Sequence, residues 1–180
     1  DTLSLRTDKG EFVELKVSSY SKSNKVGSPQ LPVLSRMIEI PASSTTEVVV
    51  ISYDVKEYKL SDWGIIYPLF PAQPPQSKNS KPNAPVEINK QVYATNSFYG
   101  EPLAKVEVAG YMRSVQLASL IISPVTYNPV ANTIRVYDNL LIEVRFTAAL
   151  KSKSGENNAR YLSPYFRSIY TNVLNYQPVE

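Results

Sequence analysis

Leu140-Leu141-Ile142-Glu143-Val144-Arg145-Phe146 places apolar side chains at 140, 142, 144 and 146, with Glu143 and Arg145 between them. An extended backbone sends successive side chains to opposite faces, so this alternation reads as a strand with one buried and one solvated face. The same pattern spreads outwards from it. Leu103 to Met112 sets Ala104, Val106, Val108 and Gly110 against Lys105, Glu107 and Ala109. Ser114 to Ile122 gives a mostly apolar strand and Ile134 to Val136 a short one. Asp138-Asn139 stands between that strand and the quoted one and reads as a tight hairpin. Upstream, Thr45 to Tyr53 is rich in β-branched residues, and Pro29, Pro32 and Pro41 bracket a strand from Val33 to Ile40. Leu3-Leu5 and Phe12 to Val17 form an opening hairpin turning at Lys9-Gly10, and Tyr127 to Asn132 is a turn carrying Pro129. Strands separated by turn signals every ~8–12 residues indicate an all-β chain, an antiparallel β-sandwich with a jelly-roll arrangement as one option.

Two segments depart from this pattern. From Tyr67 to Pro85 the chain carries Pro68, Pro71, Pro74, Pro75, Pro82 and Pro85, which is expected to form a long, irregular, exposed loop. Near the C-terminus, Ser163-Pro164 is a plausible N-cap and first-turn pair. Phe166, Ile169, Tyr170, Val173 and Leu174 follow at helical spacing. The expected organisation is therefore a β domain over 1–147 with loop 67–85, a polar linker over 148–161, and a C-terminal amphipathic helix over 162–175 of the same domain.

In 180 residues there is neither His nor Cys. Those side chains supply most proton shuttles near neutral pH, most transition-metal sites and the commonest thiol nucleophile, so a complete enzyme is not expected. Disulfides are excluded, and the apolar core has to hold the fold alone. A net charge of +3 spread over 19 basic and 16 acidic residues gives no argument for nucleic acid or an anionic membrane surface. No apolar run approaches the ~20 residues of a membrane-spanning helix. Asp1-Thr2-Leu3-Ser4 has neither the basic start nor the apolar stretch of a signal peptide and reads as a processed start.

Candidate chemistry is sparse. Asp and Glu are scattered, with no calcium-loop spacing, so neither a metal nor a cofactor is expected. Ser77-Lys78 and Ser152-Lys153 are formal Ser–Lys dyads, but such pairs in polar loops are ordinarily solvated surface residues. The 13 tyrosines and Trp63 raise a carbohydrate-stacking alternative, against which tyrosine's fitness for strands and rims, and Trp63 as a core anchor, are the expected roles.

Gly27-Ser28-Pro29-Gln30-Leu31-Pro32-Val33, then Ile38-Glu39-Ile40-Pro41, resembles the amino-terminal propeptides of gingipain-like cysteine peptidases. The resemblance continues through Gly110-Tyr111-Met112-Arg113-Ser114-Val115, Ile122 to Val130 and Leu141 to Phe146, ending at Leu162-Ser163-Pro164-Tyr165-Phe166. It covers roughly Gly27 to Asn175 and looks most like the lysine-specific branch. No single motif is diagnostic; their order and spacing are.

What the resemblance implies is a non-catalytic β-sandwich prodomain of a secreted zymogen, in the periplasm, at the outer membrane or outside the cell. Its partner is the cognate downstream peptidase domain in cis, whose cleft it occludes and whose folding it assists. Relatives of the lysine-specific branch present a lysine on the corresponding loop. Aligning on Gln73-Pro74 and Ser77 puts Lys78 there, flanked by Gln76, Ser77 and Asn79, with Lys81 before Pro82 the second choice. Relatives end at a basic residue, whereas nothing after Arg167 is basic, which leaves Arg160, Lys153, Lys151 or a point beyond Glu180 for processing. The competing readings are a β-sandwich binding module for polysaccharide or a surface protein, and a bare scaffold domain.

Overall fold

The computed structural model describes residues 2–41, 44–75, 85–112, 115–148 and 170–176. Nine strands account for most of them: β1 (Thr2–Thr7), β2 (Gly10–Leu15), β3 (Ser21–Lys22), β4 (Pro32–Ile40), β5 (Ser44–Lys59), β6 (Ala104–Met112), β7 (Val115–Ile122), β8 (Val125–Asn128) and β9 (Thr133–Ala148). A 3₁₀ turn spans Leu60–Trp63, and one short helix, α1, spans Lys90–Ala94. The strands form three sheets, ordered β1-β2, β3-β4-β7-β6 and β5-β9-β8. The pairings β1/β2, β3/β4, β6/β7 and β8/β9 are antiparallel.

The chain divides into two compact units. The first comprises 1–34, 53–103 and 123–140; the second comprises 35–52, 104–122 and 141–180. The core of the first is Leu31, Leu60, Leu69, Val125, Tyr127 and Ile134, with Leu15, Tyr58, Ile65, Tyr99 and Val136 packed against it. In the second, Ile38 and Ile40 of β4 join Ala118 and Leu120 of β7. Val106 and Ile122, and Val144 and Phe146 from β9, pack on them. A neighbouring cluster there joins Val115, Leu117, Tyr170 and Val173.

The later half of β9 behaves as its alternation demands. Ile142, Val144 and Phe146 are half-buried, while Leu141, Glu143 and Arg145 are exposed and Arg145 pairs with Glu143 at 2.7 Å. The opening hairpin turns at Asp8-Lys9, with Gly10 at φ 119°. In β6 the expected alternation is not seen: Ala104, Lys105 and Val106 are all half-buried and Glu107, Val108 and Ala109 all exposed, with a bulge between Val108 and Gly110.

Several expectations need correction. Asp138-Asn139 is not a hairpin: β9 runs through it as one strand of 16 residues. Asn139 adopts φ 51° without reversing the chain, and its side-chain amide donates to Asp54 Oδ2 at 2.5 Å, while Lys56 pairs with Asp138 at 3.0 Å. These contacts tie the irregular point to β5, which is itself longer than the expected strand. Trp63 is not a core anchor: it is 65% exposed, with its ring 5.4 Å from that of Tyr58. The expected C-terminal helix does not run to Asn175. Tyr170 alone of the described residues there is helical; turns follow, and Val173 bridges Met37. Residues 162–169 and linker residues 149–161 lie outside the described residues. Finally, residues 68–73 of the proline-rich segment are not exposed, as set out next.

Candidate functional site: the stem of the proline-rich loop

Between Tyr67 and Gln73 the chain runs as an extended segment within the first unit, bonded along both of its edges. On one edge, Val13 N–H donates to Pro68 O at 2.9 Å and Phe70 N–H donates to Val13 O at 2.8 Å. On the other, Gln30 N–H donates to Phe70 O (2.9 Å), Ala72 N–H to Ser28 O (2.8 Å) and Gly27 N–H to Ala72 O (2.7 Å). Proline is excluded from strands because it lacks an N–H. Here Pro68 and Pro71 fall where only a carbonyl is required, Pro68 O taking Val13 N–H and Pro71 O taking the Gln73 amide. Leu69 (0% exposed), Pro71 and Ala72 are buried, and exposure begins at Pro74. Proline density was therefore a poor guide to exposure at this end of the segment.

Buried Leu69 has its peptide groups satisfied by two tyrosines. Tyr93 Oη donates to Leu69 O at 2.6 Å, and Leu69 N–H donates to Tyr127 Oη at 3.4 Å. Tyr127 in turn donates to Asn132 Oδ1 at 2.8 Å, and the Asn132 amide donates to Ile65 O at 2.9 Å. Burial pushes both phenols up, Tyr127 to about 12 and Tyr93 in the same direction, so each is a neutral donor at physiological pH.

Tyr93 reaches Leu69 because α1 holds it there. Asn89 caps α1, its Oδ1 accepting from Val92 N–H at 3.2 Å, and Asn89 N–H donates to Gly27 O at 2.8 Å. Gly27 has φ 78°, and a Cβ there would lie 2.9 Å from Asn89 N, so this close approach requires glycine.

The far stem of the loop returns onto the near one through Gln73. Its Nε2 donates to Pro71 O (2.9 Å) and to Glu87 O (3.1 Å), and its Oε1 accepts from Glu87 N–H at 2.9 Å. Val86 N–H also donates to Asp8 Oδ1 at 3.2 Å. One glutamine side chain thus joins residues 73 and 87, closing the stretch between them onto a fixed base.

The candidate anchors Lys78 and Lys81, with Gln76, Ser77 and Asn79, lie outside the described residues, as does the Ser152-Lys153 pair. What the structure describes is the frame that carries the loop. From the sequence, Gln73 served only to align the loop, Tyr127 was placed only at a turn, and Tyr93 and Asn89 carried no role. Gly27, inside the first quoted motif, was the one signal pointing to this frame. Among the described residues no three Asp or Glu side chains gather as a metal site.

Fold and site together define an all-β protein whose specialised part is a segment held at both ends on a packed base. Comparison with known proteins then places it. The Propeptide_C25 family model matches residues 2–179, and the chain belongs to that family, the prodomains of gingipain-type cysteine peptidases. It is 34% identical over 172 residues to Lys-gingipain HG66 of Porphyromonas gingivalis, covering 95% of this chain and 10% of that protein. To Gingipain R1 of the same organism it is 25% identical over 186 residues, covering 96% of this chain and 18% of the relative. The chain therefore spans about a tenth of the length of its Lys-gingipain relatives. Among solved structures, one on the zymogenic latency of gingipain K from P. gingivalis superposes with TM-score 0.76 at 36% identity, over 82% of this chain and 81% of that one. The complex of P. gingivalis RgpB pro- and mature domains gives TM-score 0.73 at 22% identity, over 98% and 87%, a likeness of fold.

Proposed function

We propose that this chain keeps the cysteine peptidase domain of its own precursor latent by laying the part of the proline-rich 67–85 loop that carries Lys78 across the active-site cleft, and that it assists folding of that domain. The observation that carries this reading is the stem: both ends of the loop are fixed to a buried base by Gln73, Leu69 and their partners. A restrained, proline-flanked segment loses little entropy on docking. Attachment in cis raises its local concentration to roughly millimolar, so a modest contact is enough to occlude the cleft.

Lys78 is the pocket anchor in this proposal, with Lys81 second and Gln76, Ser77 and Asn79 flanking it. A lysine-preferring peptidase needs acidic groups in its specificity pocket, and an ammonium there forms charge-assisted hydrogen bonds. The Lys81–Pro82 bond is a poor scissile bond, which favours Lys81 as the alternative. The body presenting the loop is read as a sandwich over 1–147, of jelly-roll type, joined through 148–161 to the C-terminal segment 162–175. Secretion follows from the family, with the periplasm, outer membrane or exterior as its destination.

The test is to add the purified chain to the mature catalytic domain of its precursor and follow hydrolysis of a lysyl substrate. Saturable 1:1 inhibition is expected, weakened by about 2–5 kcal/mol in Lys78→Ala if the ammonium is buried on an acidic group. Full peptidase activity at saturating dose overturns the latency reading. Unchanged inhibition in both Lys78→Ala and Lys81→Ala removes the anchor alone.

A further inference from the structure

In the sheet ordered β5-β9-β8, β5 comes last, so one of its edges has no strand beside it among the described residues. Every residue from Tyr53 to Glu57 is exposed, side chains of both faces included, and all five belong to the first unit. On one face Tyr53 and Val55 are 50% and 45% exposed, and the Tyr53 ring meets that of Tyr137 on β9 edge-on at 5.3 Å. Asp54 and Lys56 lie on the other face and are ordered from β9: the Asn139 amide donates to Asp54, and Lys56 pairs with Asp138 at 3.0 Å. Sheet edges are ordinarily guarded against an incoming strand by proline or by charge. β5 carries no proline, and its charges change sign between Asp54 and Lys56.

We propose that this edge pairs with the same edge of a second copy of the chain, antiparallel about a two-fold axis at Val55. Directly opposite residues of an antiparallel pair share a face of the sheet. Asp54 then stands against the partner's Lys56 and Lys56 against the partner's Asp54, so the charges that would turn away another strand attract this one. On the other face Val55 meets the partner's Val55, with Tyr53 and Tyr137 beside it. Charge also fixes the register. A two-fold axis at Asp54 or at Lys56 sets that residue against its own copy, and like charges directly opposite are destabilising. A slip of one residue lays the apolar row against the charged one. Five residues a side bury less than the ~1,000 Å² of a stable interface, so the dimer is weak. The pairing uses no part of the proline-rich loop and stands apart from the latency reading.

The experiment follows the full chain by sedimentation equilibrium up to about 1 mM, with circular dichroism showing that each variant is folded. A monomer–dimer equilibrium is expected, weakened at least about tenfold in Asp54→Lys and in Lys56→Glu, each of which sets like charges across the axis. An equimolar mixture of the two variants is expected to recover wild-type association within about threefold, because one copy then supplies both cations and the other both anions. A mixture no stronger than its components overturns the proposal. The chain holds no cysteine, so single substitutions give an independent second reading. Val55→Cys puts two thiols across the axis and is expected to form a disulfide-linked dimer in air. The thiols of Glu57→Cys stand roughly 13 Å apart along the strands and are not expected to join. Equal cross-linking of the two variants overturns the proposal. So does a chain that stays monomeric at about 1 mM; if its Asp54→Lys variant also binds the catalytic domain about tenfold more weakly, the edge belongs to the peptidase instead.

Discussion

Tyr127→Phe tests whether the proline-rich segment is anchored as described, because it deletes one oxygen from a fully buried site. That oxygen accepts from Leu69 N–H at 3.4 Å and donates to Asn132 Oδ1 at 2.8 Å. Leu69 and Tyr127 are both 0% exposed, so water does not replace the lost partner. An orphaned buried N–H costs about 1–3 kcal/mol, and the long bond places this one at the lower end. Loss of the shorter bond to Asn132 adds about 0.5–1.5 kcal/mol. The sum is about 1.5–2.5 kcal/mol, which for a chain of this size lowers Tm by about 3–10 °C. Urea unfolding followed by tyrosine fluorescence and circular dichroism measures it, with an unchanged slope showing that the denatured state is not what moved. Tyr93→Phe orphans the Leu69 carbonyl instead, at about 1–2 kcal/mol. Since both act on one residue, the double variant is expected to depart from additivity by about 0.5 kcal/mol or more. A Tyr127→Phe variant within about 0.5 kcal/mol of wild type refutes the reasoning.

The same two phenols predict an alkaline limit. Burial raises both, Tyr127 to about 12, so the folded state keeps protons that the unfolded chain releases. Stability is full below about pH 10 and falls as pH rises towards 12, at up to about 1.4 kcal/mol per pH unit per tyrosine. Urea midpoints measured from pH 9 upward check this, and Tyr127→Phe flattens the decline. Gly27→Ala puts a methyl 2.9 Å from Asn89 N at φ 78° and is expected to cost about 2 kcal/mol or more, loosening α1 with it; a melting curve like wild type counts against the close approach.

The strands of the second unit were legible because a period of two is a local property: Ile142, Val144 and Phe146 turn to the core and Glu143 and Arg145 to water on sequence spacing alone. Asp138-Asn139 misled because Asn tolerates positive φ equally well in a tight turn and at an irregular point inside a strand. Only contacts from Asp54 and Lys56 decide between them. Five-residue α1 was missed because too few positions carry a helical period, although Asn89 is a good cap.

Trp63 shows the converse: an aromatic side chain carries no local record of which face it ends on. The absence of His and Cys, the alternating strands and the ordered motifs around Gly27, Gly110 and Leu141 were enough to give an all-β, non-catalytic propeptide. They could not reveal that Pro68 and Pro71 sit in a buried bonded segment, or that Gln73 meets Glu87. Those facts depend on whether a group 14 or 58 residues away supplies a partner, and the chain acquires that information only by folding.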